Sequence, residues 1–182
     1  MRSEGHRISM EELRGILEPL GSFPEILVME YLDGSEFSVD VLASEGEVLA
    51  MVCRRKPFNG KVRESGGSRL KSIREGQAQL LAREPEIEEM VRKLARHFHL
   101  GGIFNAQFRS PALRPEKPCI LEINGRMSGG LPYIALSGVN IPLLAIRMAM
   151  RKPGDPMPEI PEPSLPLRVQ ESSDVCVATQ KP

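Results

Sequence analysis

Two short runs carry polar groups with the spacing of a β-strand. In FNAQFR (104–109), Asn105, Gln107 and Arg109 alternate with Phe104, Ala106 and Phe108. In CILEIN (119–124), Glu122 and Asn124 alternate with Leu121 and Ile123. A two-residue period sends each polar set to one face of its strand. If the strands are neighbours, Gln107 lies near Glu122, and an amide–carboxylate–amide set lines one surface. Asn and Glu are poor strand formers, so their presence here needs a reason. A hard cation such as Mg²⁺ supplies one: it takes carboxylate and amide oxygens, keeps several waters and bridges to phosphates. The alternative is the solvent-facing side of an antiparallel sheet.

A second run, EYLDGSE (30–36), ends a mostly apolar stretch with a glycine turn and a second acid. Backbone groups at such a strand end can meet a planar heterocycle, and Glu36 can accept ribose hydroxyls. An ordinary hairpin turn is the alternative. Charge is segregated nearby. Residues 15–53 hold eight acids and no Lys or Arg. Residues 54–74 then hold eight basic residues (Arg54, Arg55, Lys56, Lys61, Arg63, Arg69, Lys71 and Arg74) against one acid, Glu64. Such a surplus attracts an anion or forms a solvated loop.

These groups need elements to hold them. Ser9 and Glu12 form a capping-box pattern, and Leu13, Ile16, Leu17 and Leu20 repeat at helical spacing until Pro19 and Gly21. Strands are expected at Ile26–Tyr31, over 37–42, where Phe37, Val39 and Val41 alternate with Ser38, Asp40 and Leu42, and over 47–53 after a turn at 44–46. The glycines and prolines of 57–68 predict a loop, and 69–82 a helix. Pro85 opens the clearest helix, whose apolar stripe runs through Ile87, Met90, Val91, Leu94, Ala95 and Phe98. Strands over 103–109 and 119–124, a Gly-rich turn over 125–130 and a helix over 142–151 follow. Six of the fourteen residues 153–166 are proline, an extended arm. One edge strand is expected beyond it, at 167–170 or 175–178.

The 182 residues suffice for one domain, alone or with a tail, and the formal net charge of zero argues against a dedicated nucleic-acid binder. The longest apolar run, Val48 to Cys53, is six residues, against the 20 or so a membrane span requires. The first ten residues show no apolar signal region. Three widely spaced cysteines, at 53, 119 and 176, form no C-x-x-C pair, which fits a reducing, cytoplasmic setting. His97 and His99 read as exposed residues at a helix end.

Taken in order, VMEYLDGSEFSVDVL (28–42), FNAQFR (104–109) and LEINGRMSGG (121–130) resemble the motifs of the ATP-grasp superfamily. The nearest resemblance is to its carbamoyl-phosphate-synthase-like branch, over roughly residues 25–152. It implies an α+β fold: the C-terminal subdomain of an ATP-grasp domain, mainly antiparallel sheet flanked by helices. It implies ATP and Mg²⁺ (or Mn²⁺) as cofactors. The hinge backbone at Glu30 and Leu32 would meet adenine, and Glu36 would hold the ribose. Gln107, Glu122 and Asn124 would bind the metal, and Arg126 would face the transferred phosphoryl group or an acyl phosphate. The implied reaction is ATP-dependent activation of a carboxylate as an acyl phosphate, for attack by an amine, ammonia or thiol. The alternative is a non-catalytic nucleotide- or metal-binding or dimerising fragment.

Two departures stand out. Gly125 occupies the position where the family usually has proline. Only 27 residues precede Val28, whereas the family normally has a preceding phosphate-gripping subdomain. The expected organisation is therefore a helical leader over 1–24, the ATP-grasp C-terminal half over 25–152 and a Pro-rich arm with an edge strand over 153–182. The expected partners are ATP, an unidentified carboxylate, the missing N-terminal half in cis or trans, and a second copy through the surface that half would cover. No membrane or nucleic acid is expected.

Overall fold

The computed structural model describes residues 8–56, 78–172 and 175–179. Lys61, Arg63, Arg69, Lys71 and Arg74 of the basic run fall outside these, as do the loop over 57–68 and the start of the expected 69–82 helix. No helix among the described residues is long and apolar enough to cross a membrane.

One seven-stranded antiparallel sheet organises the chain, in the order β5-β4-β1-β2-β3-β6-β7. Its strands are β1 (Glu36–Ser44), β2 (Glu47–Lys56), β3 (Gln79–Leu81), β4 (Gly102–Arg109), β5 (Cys119–Asn124), β6 (Leu167–Ser172) and β7 (Val175–Thr179). One face is covered by α2 (Pro85–His97). There Ile87, Val91 and Ala95 pack on Phe37, Val39, Val41, Phe104, Ala106 and Phe108. The helical period of one stripe meets the two-residue period of the strands, as both patterns require.

The other face is split. At one end α3 (Leu131–Ala135) and α4 (Ile141–Ala149) cover it, with Ile134, Val139, Ile141 and Leu144 against Leu42, Ala50, Val52, Leu81 and Val169. At the other end it is polar.

Helix α1 (Met10–Leu17) has the capping box read from the sequence. The Glu12 N–H donates to Ser9 Oγ at 3.1 Å, and the Ser9 N–H donates to Glu12 Oε2 at 2.7 Å. None of its residues is buried.

Four expectations are corrected. Ile26–Tyr31 forms no strand: 22–33 contain no regular element, and Leu27 is 84% exposed. An apolar β-prone run becomes a strand only where another strand completes its hydrogen bonds. The described end of the expected 69–82 helix is the strand β3, in which Leu80 and Leu81 pair with Arg55 and Arg54. Three residues are too few to display a period. Both candidate edge strands form, as β6 and β7, and β6 reaches the sheet through β3. Finally, Ser38 and Asp40 do not face solvent. At 2% and 0% exposure they are buried, because β1 is central and covered on both faces.

Candidate functional site

Strand register turns the polar half-face into rows. Lys56, Glu36 and Arg109 lie abreast in the first. Arg54, Ser38, Gln107 and Glu122 form the second. Val52, Asp40, Asn105 and Asn124 form the third, and Ala50, Leu42 and Ile103 close the face with the apolar cover. Gln107 and Glu122 are direct cross-strand partners. An irregularity between Gln107 and Phe108, with Leu121 as the extra residue on β5, sets that register.

The sequence-predicted residues fall into two groups on this geometry. Gln107, Glu122 and Asn124 come together. Asn124 Nδ2 donates to Glu122 Oε1 at 2.8 Å, which turns the amide oxygen of Asn124 away from that contact. Glu122 is exposed, and Gln107 and Asn124 are half-buried. Arg126 follows on the turn, exposed, its Nη1 donating to the Met127 carbonyl at 3.1 Å. Among the described residues no cluster of three or more His, Cys, Asp or Glu is placed to hold a metal. The donor set is one carboxylate with amides. That suits a Mg²⁺ ion whose coordination is completed by water and phosphate oxygens, rather than an all-protein cage.

The hinge group is tied to the start of β1 and the end of β4. The Gly34 N–H donates to the Ser110 carbonyl at 2.8 Å, and the Ser110 N–H to the Ser35 carbonyl at 3.1 Å. A Cβ on Gly34 would stand 2.3 Å from the Ser110 carbonyl oxygen, so only glycine allows this approach. Asp33 Oδ1 accepts from the Ala112 N–H at 2.8 Å. Leu32 is 8% exposed, and its carbonyl accepts from Arg109 Nη1 at 3.4 Å. Glu30, exposed, pairs with Arg114 at 3.2 Å.

Glu36 is held by two cations. Lys56 Nζ donates to its Oε1 at 2.7 Å and Arg109 Nη2 to its Oε2 at 2.9 Å. Burial alone would raise the pKa of this carboxyl. The hydrogen bonds and charges of Lys56 and Arg109 outweigh burial and hold it below the usual glutamate value.

Sequence reasoning missed the floor of the site. Arg54, 6% exposed, donates to Gln79 Oε1 at 2.7 Å and to Ser38 Oγ at 3.3 Å. Its guanidinium lies 5.7 Å from the centroid of the Tyr133 ring. Burial lowers its pKa from the usual arginine value. Asn105, 1% exposed, donates to Ser38 Oγ at 3.0 Å and to the Val39 carbonyl at 3.1 Å. Asp40 accepts from Ser128 Oγ at 2.7 Å, and burial raises its pKa despite that bond and the nearby charge of Arg54. The available signal was charge on adjacent strands: Asp40 on one, Arg54 and Lys56 on the next. Arg55, of opposite parity, pairs instead with Glu84 at 3.3 Å.

Gly125, where the related motif has proline, is not demanded by packing. A Cβ there would meet nothing within 4 Å.

Comparison with known proteins follows this geometry. A search of curated proteins matches none. Among solved structures, an L-amino acid ligase from Bacillus licheniformis is similar, with a TM-score of 0.51 and 20% identity over 76% of this chain. That is a likeness of fold, and the chain spans 33% of the length of that ligase. Residues 22–175 match the family described as "ATP-grasp in the biosynthetic pathway with Ter operon". With most of its length inside that match, this chain belongs to the ATP-grasp family.

Proposed function

We propose that this chain supplies the ATP- and Mg²⁺-binding part of an ATP-grasp ligase that activates a carboxylate as an acyl phosphate for attack by an amine, ammonia or thiol. One observation carries the reading. In a member of this family, Gln107, Glu122 and Asn124 are gathered on one polar sheet face, with Arg126 exposed on the turn that follows, rather than packed into apolar surroundings.

The roles follow from chemistry. ATP is the substrate. Gln107, Glu122 and Asn124 would hold Mg²⁺ (or Mn²⁺), which when bound neutralises charge on the nucleotide phosphates. Arg126 offers a fixed cation to the transferred phosphoryl group. Phosphoryl transfer depends mainly on positioning and charge neutralisation, which such a set can provide. The backbone at Glu30 and Leu32 would meet adenine. Glu36 would hold the ribose through carboxylate lone pairs that its contacts with Lys56 and Arg109 leave unused. The carbamoyl-phosphate-synthase-like branch is part of this proposal and rests on the motif resemblance alone.

The site is open at Glu122 and Arg126, so a second wall must close it. We assign that wall to an N-terminal ATP-grasp half acting in cis or trans. A second reading, a nucleotide-binding or dimerising module without turnover, draws on the double ion pair that engages Glu36.

The test is ADP formation with a panel of carboxylates and hydroxylamine, which traps acyl phosphates as hydroxamates, in the presence of an N-terminal ATP-grasp half. The ligase reading predicts hydroxamate and ADP in equal amounts, lost in Glu122→Ala. Mg²⁺-dependent ATP binding without ADP or hydroxamate would favour the second reading.

A further inference from the structure

The 125–130 turn carries Arg126 and follows Asn124, the last residue of β5, directly, so its seating bears on where Arg126 stands. Among the described residues, most of its hydrogen bonds are local. The Arg126 N–H donates to the Asn124 carbonyl at 2.8 Å, and its side chain donates only to the adjacent residue's carbonyl. One side chain ties the turn to the sheet. Ser128 Oγ donates to Asp40 Oδ2 at 2.7 Å, while the Gly130 N–H donates to that same Oγ at 2.9 Å. The hydroxyl is thus a peg, with a central-strand carboxylate on one side and the turn's own backbone on the other.

The turn also presses on Arg54. A Cβ added to Gly130 would lie 2.1 Å from Arg54 Nη2 and 2.3 Å from its Cζ. That guanidinium cannot give way cheaply, because Ser38 and Gln79 fix it from the other side. Peg and plate therefore act together.

A purely structural element would satisfy its buried atoms more economically. Asp40 is 0% exposed; the Asn105 side chain and the Ser128 backbone lie near enough to favour its charge, yet its second oxygen, Oδ1, has no hydrogen bond of good geometry. Half-satisfied buried polar groups reduce stability relative to an apolar core. Departures of this kind are expected at functional sites.

We propose that Asp40 and Ser128 are positioning residues: the buried carboxylate seats the Ser128 hydroxyl, and that peg holds the 125–130 turn so that Arg126 keeps a defined place at the end of β5, next to Asn124. The role in the site rests on the ATP-binding reading above; the seating of the turn does not.

The test compares wild type with Ser128→Ala, Ser128→Cys and Ser128→Thr by two measurements. Amide hydrogen exchange, read without nucleotide, should speed up at least tenfold over 126–130 in Ser128→Ala. Protection of β1 should stay unchanged, and Ser128→Thr, which keeps the hydroxyl, should stay near wild type. If Ser128→Ala does not fold, Ser128→Cys carries the same comparison, with intermediate exchange expected from its weaker donor. Unchanged exchange in the turn would overturn the proposal, whatever nucleotide binding does.

The second measurement is the Kd for MgATP, expected to rise at least tenfold in Ser128→Ala or Ser128→Cys and to recover in Ser128→Thr. Loosened exchange with an unaltered Kd would overturn the positioning role. Loosened exchange in Ser128→Ala, together with a wild-type chain that binds no MgATP, would overturn the ATP reading and the site role with it, while the peg itself stood.

Discussion

At the scale of single residues, the account separates groups whose positions are forced from groups whose positions are permissive. Gly34 is forced: its Cα backs onto the Ser110 carbonyl. Gly34→Ala should destabilise the fold by about 1–3 kcal/mol, the usual cost of overpacking, as read from the urea midpoint. Gly125 is permissive, with open space around its Cα. Gly125→Ala should be neutral or stabilise by about 0.4–1 kcal/mol, because it restricts the unfolded chain. Equal losses in both variants would contradict this reading.

Glu36 makes a pH prediction. Its folded pKa lies below its unfolded one, because Lys56 and Arg109 outweigh burial. Its contribution is therefore present above the unfolded value, about 4.3, and is lost as pH falls through the folded value. Glu36→Gln should flatten the acid limb of stability below about pH 4.3, measured as urea midpoints from neutral pH downward. An acid limb as steep as wild type would remove Glu36 from its cause. Glu36, Gln107, Glu122 and Asn124 were legible as candidates from residue type and spacing, and Arg126 only through the family resemblance. Asp40, Arg54 and Ser128 were not: a serine in a glycine turn and an aspartate in an alternating strand both look solvent-facing until the tertiary cover is known.

At the scale of elements, legibility followed length and self-sufficiency. Helix α2 announces itself through a long stripe, and its buried residues are Ile87, Val91 and Ala95. Ile87→Ala should cost about 2–5 kcal/mol. Lys93→Ala, on the exposed side of the same helix, should fall within about 0.5 kcal/mol of wild type. Chemical denaturation of the pair checks which face is packed. Alternation marked both β4 and β5 as strands, while their pairing was only a condition in the sequence reading and the Gln107–Glu122 register depends on an irregularity that alternation does not show. Strand β3 and helix α3 span three and five residues, too short for a period to show. Residues 26–31 failed in the opposite sense. Their composition is that of a strand, yet no strand among the described residues pairs with them, and pairing is a property of the partner as much as of the run.

At the scale of the whole molecule, a net charge of zero conceals a divided sheet. One face is sealed by α2. The other is apolar where α3 and α4 lie and polar beyond them, and the polar part is where the family's chemistry would take place. A groove of about 410 Å³ lies elsewhere, on the exposed leader, lined by Met10, Leu13, Leu17 and Phe23 among others. Its lining carries none of the residues assigned to nucleotide or metal. The fold class was legible from the ordered motifs. What closes the polar face was not, since the motifs name only residues on the face itself.

The claim beneath the rest is that two β-segments far apart in sequence present oxygens to a divalent ion carried by a triphosphate. Calorimetric titration of the full chain with ATP, with and without Mg²⁺, tests it most directly when run beside a folded Glu122→Ala variant. The account predicts saturable binding that requires Mg²⁺ and weakens at least tenfold in the variant, about 1.4 kcal/mol. ATP binding indifferent to both the metal and Glu122, or no binding at millimolar ATP, would contradict it.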